Sequence, residues 1–248
     1  LQELNSPYNE GASSFSADGR FMVFTACNRR DGLGRCDLYY SEFKNEQWQL
    51  PANAGSPLNS RYWDSQPSLS SDGKILVFSS DRPGGKGGRD LWWSHKTAEG
   101  SWALPQNLGD AVNSAGDEQS PFLHADGRTL YFMSDGHTGM GGFDLFFSKL
   151  QSDGSWSEPQ NLGYPINTYG NEGALVISLD GREAWSRRLA DAGEAPVAVD
   201  VKLGAARVLR VEARVDADRP GAVAVLADAL LLTAGTQPPP SFSRELPK

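Results

Sequence analysis

The amino-acid sequence repeats itself every 54 residues, and this period limits the fold more than any other feature of the chain. Four Asp-Gly pairs mark the period, with their aspartates at positions 18, 72, 126 and 180. Four more residue types recur at this interval: Trp48, Trp102 and Trp156; Pro51, Pro105 and Pro159; Asn53, Asn107 and Asn161; Gly55, Gly109 and Gly163. Repeats near fifty residues, built from short aromatic strands and glycine turns, are typical of β-propeller blades rather than of helical solenoids.

The pattern within one repeat predicts four strands. In the second repeat, residues 66–69 and 75–79 form a hairpin around Asp72-Gly73, a turn in which both residues are expected to tolerate positive φ. A glycine-rich loop over 82–88 leads to a third strand at 90–94, and residues 102–107 form an edge segment. We therefore predict an all-β fold, a β-propeller of four-stranded blades with three full repeats and a partial or divergent fourth. Since closure needs at least four blades, the propeller can be incomplete.

The glycine-rich loops carry a second expectation. An aspartate opens the third strand of each repeat, where its carboxylate can accept hydrogen bonds from backbone N–H groups of the preceding loop. These residues are Asp37, Asp90 and Asp144. The loops do not resemble phosphate cradles, because no helix pattern follows them and no Lys-Ser/Thr pair closes a Walker motif.

Composition excludes some partners. The 248 residues carry a formal net charge of -8 and the sequence shows no run of Lys and Arg, so a nucleic-acid backbone is not expected as a partner, and basic proteins or neutral glycans fit better. No transmembrane segment is predicted, because the longest apolar stretch, 222–234, is short and contains Asp228. Since Leu1 falls inside a blade-to-blade connection, we expect the sequence to be cut from a longer protein.

The repeat pattern stops after Trp185. Residues 197–203 and 209–215 alternate apolar and polar side chains, and a further run covers 222–232, which predicts three strands in a divergent blade or a small sandwich. A displaced reading frame is the alternative. The predicted domains are therefore the propeller repeats at 1–185, a β-rich extension at 186–235 and a Pro-rich tail at 236–248.

An acidic residue precedes the first strand of every repeat, again 54 residues apart. The four positions are Glu10, Asp64, Glu118 and Glu172. In a propeller the first strand lines the central channel, so four carboxylates at similar radius predict an acidic ring that could hold Ca²⁺ or accept a basic peptide. The alternative is that each carboxylate braces backbone N–H groups of its own or the adjacent blade.

Two cysteines, Cys27 and Cys36, flank the glycine-bearing loop of the first repeat and face each other across a hairpin base. A disulfide here would contribute about 2–3 kcal/mol in the chain-entropy model and would indicate an oxidising compartment. Two free thiols, or half of a metal site, are the alternatives.

Signals for catalysis are weak. A Ser-His-Asp hydrolase needs a G-x-S-x-G elbow, which is absent, and His95, His124 and His137 stand at different offsets within their repeats. The arginine cluster and Tyr-Glu pair of a sialidase cannot be identified either. Exposed aromatic side chains such as Trp92, Trp93 and the pair Tyr62-Trp63 could stack on sugar rings, or pack within the blades.

Five stretches of the sequence carry a resemblance to a known family. They are NEGASSFSADGRFMVF, SQPSLSSDGKILVFSSDRPGGKGGRDLWW, DEQSPFLHADGRTLYFMSD, GGFDLFFS and WSEPQNLGYPINT. Together they resemble the WD40-like, TolB-type propeller repeats of bacterial envelope proteins, over residues 1 to about 185. The resemblance implies a periplasmic or outer-membrane-associated, non-catalytic scaffold that binds an envelope protein. A peptidoglycan- or carbohydrate-binding module is the alternative, and a propeller glycosidase a weaker one; no cofactor other than Ca²⁺ is expected.

Overall fold

The 54-residue period appears in the structure, a computed structural model, as a repeated antiparallel sheet. Residues 9–164 and 166–172 are described in full, and the backbone is described for four further strands. The first sheet contains β1 (Glu10–Phe15), β2 (Phe21–Cys27), β3 (Cys36–Lys44), β4 (Gln47–Trp48) and β5 (Ala52–Asn53). The second contains β6 (Asp64–Leu69), β7 (Ile75–Ser80), β8 (Asp90–His95) and β9 (Gln106–Asn107). The third contains β10 (Glu118–Leu123), β11 (Thr129–Ser134), β12 (Asp144–Lys149) and β13 (Gln160–Asn161).

Each sheet is a meander of the kind found in propeller blades. The second and third sheets run in the orders β6-β7-β8-β9 and β10-β11-β12-β13, and in the first sheet β3 pairs with both β4 and β5. The predicted all-β fold with four-stranded blades is thereby confirmed. The outermost strands are only two residues long, so each blade presents a short edge to solvent.

The Asp-Gly turns differ from the prediction in one detail. Gly19, Gly73 and Gly127 have φ values of 67, 67 and 65°, while none of the preceding aspartates has a positive φ. In the first turn, the Asp18 carboxylate instead accepts a hydrogen bond from the Arg20 N–H at 3.0 Å. Only the glycine therefore needs the left-handed region, and the aspartate fixes the turn with its side chain.

Neighbouring blades bury their apolar faces against each other. One core cluster joins residues of the first two repeats, among them Val23, Leu38 and Phe78, and a second joins Val77 and Leu91 to Phe132 and other side chains of the third. Because a single blade cannot bury both faces, these shared clusters are what hold the array together. The Phe and Leu positions that recur in each repeat contribute to these clusters through Leu38 with Phe78 and through Leu91 with Phe132, whereas Phe24 packs among residues of the first repeat.

The first strands of successive blades lie side by side. The Leu69 N–H donates to Ser14 Oγ at 2.9 Å, and the Leu123 N–H donates to Ser68 Oγ at 2.9 Å. Both bonds join positions 55 residues apart, so β1, β6 and β10 follow one another along a common inner edge. This is the arrangement expected when blades fan around an axis.

The chain divides into two compact units, Leu1–Gly173 and Ala174–Lys248. The second unit contains a four-stranded sheet of β14 (Val176–Leu179), β15 (Arg182–Trp185), β16 (Leu209–Arg214) and β17 (Val223–Leu226). Its order is β15-β14-β16-β17, so β14 lies between β15 and β16, which is not the order of the three blades. Two of the predicted extension strands match β16 and β17; the third, 197–203, and the Pro-rich tail lie outside the described residues. The predicted domain boundaries stay a prediction.

Within the described ranges, no helix combines the length and apolar character needed to cross a bilayer.

Candidate functional site on the glycine-loop rim

The glycine-rich loops form one rim of the blade array, at the end of β2, β7 and β11 opposite the Asp-Gly turns. The aspartate that opens each third strand holds its loop in place. Asp90 accepts from the N–H groups of Lys86 at 2.5 Å and Gly87 at 2.9 Å, and Asp144 accepts from Met140 and Gly141 in the same way. Asp37 does so in the first repeat. The predicted bracing role of these aspartates is confirmed.

The connection between consecutive blades forms the other part of this rim. A buried asparagine anchors each connection, as Asn113 does by accepting from the Leu91 N–H and donating to the Leu91 carbonyl, at 2.7 and 3.0 Å. Asn59 and Asn167 make the same pair of bonds to Leu38 and Leu145. The repeated asparagines are therefore structural, and they fix the height of the connection above each third strand.

Asp64 is fully buried at the start of β6 and is surrounded by donors. Its carboxylate accepts from the N–H and hydroxyl of Ser60, both at 2.7 Å, and from Ser80 Oγ at 2.6 Å. The Arg82 guanidinium completes the set with an ion pair at 2.5 Å, while also donating to the Leu58 carbonyl. Arg82 itself lies over the Phe78 and Trp92 rings, at 5.0 and 5.4 Å from their centroids.

Glu118 repeats this arrangement with a histidine in place of the arginine. Its carboxylate accepts from the N–H and hydroxyl of Ser114 and from Ser134 Oγ. His137 Nε2 stands 4.0 Å from Glu118 and 2.7 Å from the Val112 carbonyl, the position equivalent to Leu58. Its ring packs 5.4 Å from that of Phe146.

In the first repeat, Glu10 pairs with Arg29 at 2.9 Å, and the Arg29 guanidinium lies 4.8 Å from the Tyr39 ring centroid. The sequence analysis missed this set of basic partners. They are Arg29, Arg82 and His137, which follow their acidic residues by 19, 18 and 19 positions. The spacing alone does not reveal them, because the residue type changes from arginine to histidine and the interval shifts by one residue in the second repeat.

Glu172 is buried like Asp64 but is less well satisfied. Its Oε1 accepts from Thr168 Oγ1 at 2.6 Å, whereas Oε2 has no hydrogen-bond partner among the described residues. The carboxyl contacts Asp144, whose Oδ1 is also buried without a described partner. Burial, together with the nearby Asp144 carboxylate, raises the pKa of Glu172.

The structure thus places all four acidic residues at the start of a first strand, or its equivalent, as the sequence analysis expected. It also gives each of them partners within its own repeat, and Asp64 and Glu118 are fully buried. Asp64 and Glu118 each accept a hydrogen bond from a backbone N–H group, as in the bracing alternative, whereas Glu10 and Glu172 interact with side chains. The ligand-binding acidic ring stays a prediction. Among the described residues no group of three or more His, Cys, Asp or Glu side chains is placed to hold a metal ion.

Cys27, the last residue of β2, lies directly opposite Cys36, the first residue of β3, and the two form a disulfide. The bond closes the base of the first glycine-bearing loop. Beyond it, the Arg35 N–H donates to the Tyr62 carbonyl at 3.2 Å, which ties this loop to the next blade-to-blade connection.

A second feature that the sequence analysis missed lies in the first strands. Ala12, Gln66 and Ser120 have positive φ values of 43, 58 and 50°, at the same 54-residue interval, and each sits at an irregularity in the pairing with the next strand. In β10 the bulged Ser120 N–H donates to Gln66 Oε1 at 2.8 Å, so the bulge links adjacent blades. Because Ala, Gln and Ser share no conformational signature, no residue pattern marks it.

The side chains exposed on the rim differ between repeats. Between a retained Ser or Thr and a retained carboxylate, the three connections carry Arg61-Tyr62-Trp63, Ala115-Gly116-Asp117 and Tyr169-Gly170-Asn171. The backbone is the same in each, since Gly88 N–H and Gly142 N–H donate to the Gly116 and Gly170 carbonyls as Arg35 does to Tyr62. Trp92, expected to be exposed, is buried in a core cluster, and Trp93 packs against the next.

Solved structures similar to this chain come from proteins of several kinds. TolB from Acinetobacter baumannii matches 84% of this chain with a TM-score of 0.46 and 16% identity, and a putative TolB from Agrobacterium tumefaciens matches 68% with a TM-score of 0.41 and 20% identity. An α-L-arabinofuranosidase from Lactobacillus brevis matches 83%, with a TM-score of 0.44 and 15% identity, over 65% of its own length.

The chain spans only 41% and 55% of the two TolB structures that it matches. No protein-family model and no curated protein sequence matches this chain. What the structure establishes is therefore the fold: antiparallel blades of the propeller type, with a rim on which a constant backbone carries changing side chains.

Proposed function

We propose that this chain is a non-catalytic binding module of an extracytoplasmic protein and that its glycine-loop rim holds a partner protein. One observation supports this most strongly: Ser60 and Asp64 have counterparts in the next two connections, whereas the segment Arg61-Tyr62-Trp63 between them does not. The other two connections share a central glycine, and their third residue, Asp117 or Asn171, accepts a hydrogen bond from a backbone N–H of the neighbouring loop. The first connection alone carries three large side chains on the retained backbone bracing. Binding residues are often carried in this way, on loops positioned by a rigid scaffold.

The carboxylates and the histidine of the rim support a binding role over a catalytic one. Asp64, Glu118 and His137 already hydrogen-bond to side chains or backbone of their own repeat. A general acid or base must reach a substrate atom, and buried groups saturated by the protein are poorly placed to do so. The Cys27–Cys36 disulfide supports an oxidising, extracytoplasmic compartment, in keeping with the envelope proteins that the sequence resembles.

The test compares the wild-type chain with a rim exchange in which Arg61→Ala, Tyr62→Gly and Trp63→Asp copy the third repeat's connection. Both proteins are immobilised and exposed to detergent-solubilised bacterial envelope proteins and, separately, to purified peptidoglycan sacculi. We expect the immobilised wild-type chain to retain an envelope protein and the exchange variant not to retain it. The exchange keeps the backbone contacts, so its thermal unfolding should match that of the wild type.

Two results would support other functions. Retention on sacculi that survives protease treatment would favour the peptidoglycan-binding alternative. Hydrolysis of aryl glycosides or peptides above background, lost on substitution of rim residues, would contradict a non-catalytic role.

A further inference from the structure

The first blade-to-blade connection brings an unusual set of side chains together, here called the arginine rim: Arg35, Arg61, Tyr62, Trp63, Asp81 and Arg89. They come from three separate segments. The Trp63 N–H donates to Asp81 Oδ1 at 2.7 Å, and the other Asp81 oxygen pairs with the Arg35 guanidinium. The Arg89 guanidinium lies 4.5 Å from the Trp63 ring centroid. Two loops and one connection thus converge on Trp63.

The arginine side chains of the arginine rim are more exposed to solvent than the carboxylates beside them. The Arg35 side chain is 71% exposed, whereas its partner Asp81 is only 24% exposed. Arg61 is exposed and forms no ion pair with any described residue; it donates instead to the Tyr62 hydroxyl at 3.0 Å. Arg89 is 37% exposed and pairs at 3.7 Å with the Asp117 carboxylate, which is 30% exposed. Three arginines thus face two less exposed carboxylates, Asp81 and Asp117, and this surface has an excess of positive charge, although the whole chain carries a net charge of -8.

The aromatic rings hold two of these cations in place. Arg89 lies over Trp63, and Arg61 lies 5.2 Å from the Tyr62 ring centroid. A guanidinium stacked on a ring keeps its N–H edge available, and that edge matches a carboxylate in a bidentate pair. Arginine, tyrosine and tryptophan are also the residues that contribute most at protein interfaces.

The same stacking argues against a sugar as the ligand. A sugar ring needs an open aromatic face, and here a guanidinium lies over one face of each ring. The equivalent connections offer no such surface, since Ala115, Gly116 and Asp117 replace the three central residues in the next repeat.

We propose that the arginine rim binds an acidic peptide segment of a partner protein. Carboxylates of the segment pair with Arg35, Arg61 and Arg89, and its apolar side chains lie against Tyr62 and Trp63. This inference rests on the proposed function and narrows its partner to a chain segment rich in Asp or Glu.

The test measures fluorescence anisotropy of a labelled peptide of alternating glutamate and leucine, added to the full chain. The matched peptide has glutamine in place of glutamate, and soluble polygalacturonate serves as the anionic glycan. We expect the acidic peptide to bind and the glutamine peptide not to, with affinity falling at high ionic strength. Arg61→Ala and Arg89→Ala should each weaken binding about tenfold.

Arg20→Ala is the matched control, because it removes the same charge from an exposed position at the Asp-Gly end of β2. It should leave binding unchanged, and all three variants should unfold at the wild-type temperature. Equal binding of the two peptides, an equal loss in Arg20→Ala, or binding of polygalacturonate alone would overturn the inference. If one of these three results were obtained while the wild-type chain still captured an envelope protein, the proposed binding function would stand, and only the acidic nature of the partner segment would be wrong.

Discussion

Asp64 and Glu172 occupy equivalent positions two repeats apart, yet Asp64 has a cationic partner, whereas Glu172 lies beside a second carboxyl group. Asp64 is matched by Arg82 and three donors from Ser60 and Ser80. Glu172 has the Thr168 hydroxyl on one oxygen and faces the carboxyl of Asp144. Both carboxylates accept a hydrogen bond from the hydroxyl four residues earlier in the chain, so the repeat fixes where a carboxylate lies. Neighbouring side chains decide whether its charge is compensated.

The other two repeats show two further solutions to the same problem. Glu118 has a histidine at 4.0 Å where Asp64 has an arginine. The first repeat has its own arginine pair and, in addition, a disulfide across the base of its loop. Four substitutions, in decreasing order of their expected change in stability, test how far these differences matter.

Removing the best-compensated carboxylate should have the largest effect. Asp64→Ala leaves the Arg82 guanidinium buried without its partner, and breaking a buried ion pair in this way costs about 3–5 kcal/mol. Urea unfolding measures the free energy of unfolding of the wild type and of each variant. The double variant Asp64→Leu, Arg82→Met is the control and should recover much of the loss. If Asp64→Ala were as stable as the wild type, the Asp64–Arg82 ion pair would not stabilise the second repeat.

Removing the disulfide at the base of the first glycine-bearing loop should have the second-largest effect on stability. Replacing Cys27 and Cys36 by serine removes a cross-link between residues nine positions apart. The chain-entropy model gives a loss of about 2–3 kcal/mol. Reductant should lower the thermal unfolding temperature of the wild type and leave that of the variant unchanged. Insensitivity of both proteins to reductant would contradict a stabilising disulfide.

Glu172→Gln should stabilise the protein at neutral pH by about 1 kcal/mol, because an amide can donate to Asp144 where a carboxylate cannot. The pKa of Glu172 is raised by burial, so its favourable contribution is complete below its ordinary value of 4.5 and is lost as pH rises through the folded-state value. The gain should therefore shrink toward acid. Unfolding measured at several pH values checks this, and a loss of stability at neutral pH would refute it.

An exposed turn should show the smallest effect. The Ser70 hydroxyl lowers the pKa of Asp72, so this carboxylate stabilises the fold above pH 3.8, and the contribution is lost as pH falls through the lower folded-state value. Asp72→Asn should change stability at neutral pH by less than about 0.5 kcal/mol, as for most surface positions. The difference in the free energy of unfolding between wild type and Asp72→Asn should shrink as pH falls, because only the wild type loses the contribution of this carboxylate. Urea unfolding at neutral and at acid pH measures the difference.

Much of the site could be predicted because its parts repeat. The spacing located the glycine loops, the bracing aspartates and the four acidic positions, and it paired Cys27 with Cys36 as facing residues. The basic partners escaped because Arg82 and His137 differ in type and stand 18 and 19 residues after their carboxylates. The arginine rim escaped for another reason: Arg35, Trp63 and Arg89 meet only when two loops fold onto one connection.

The repeat length, the strands, the turns and the apolar faces follow from the amino-acid sequence alone, because these depend on short-range pattern and residue conformation. Which charges meet is known only from the folded chain. It showed that Asp64 is neutralised by Arg82, that Glu172 faces Asp144, and that the rings of Tyr62 and Trp63 carry guanidiniums. Such contacts join residues from different segments, and their energies depend on distance and burial, which no linear pattern records.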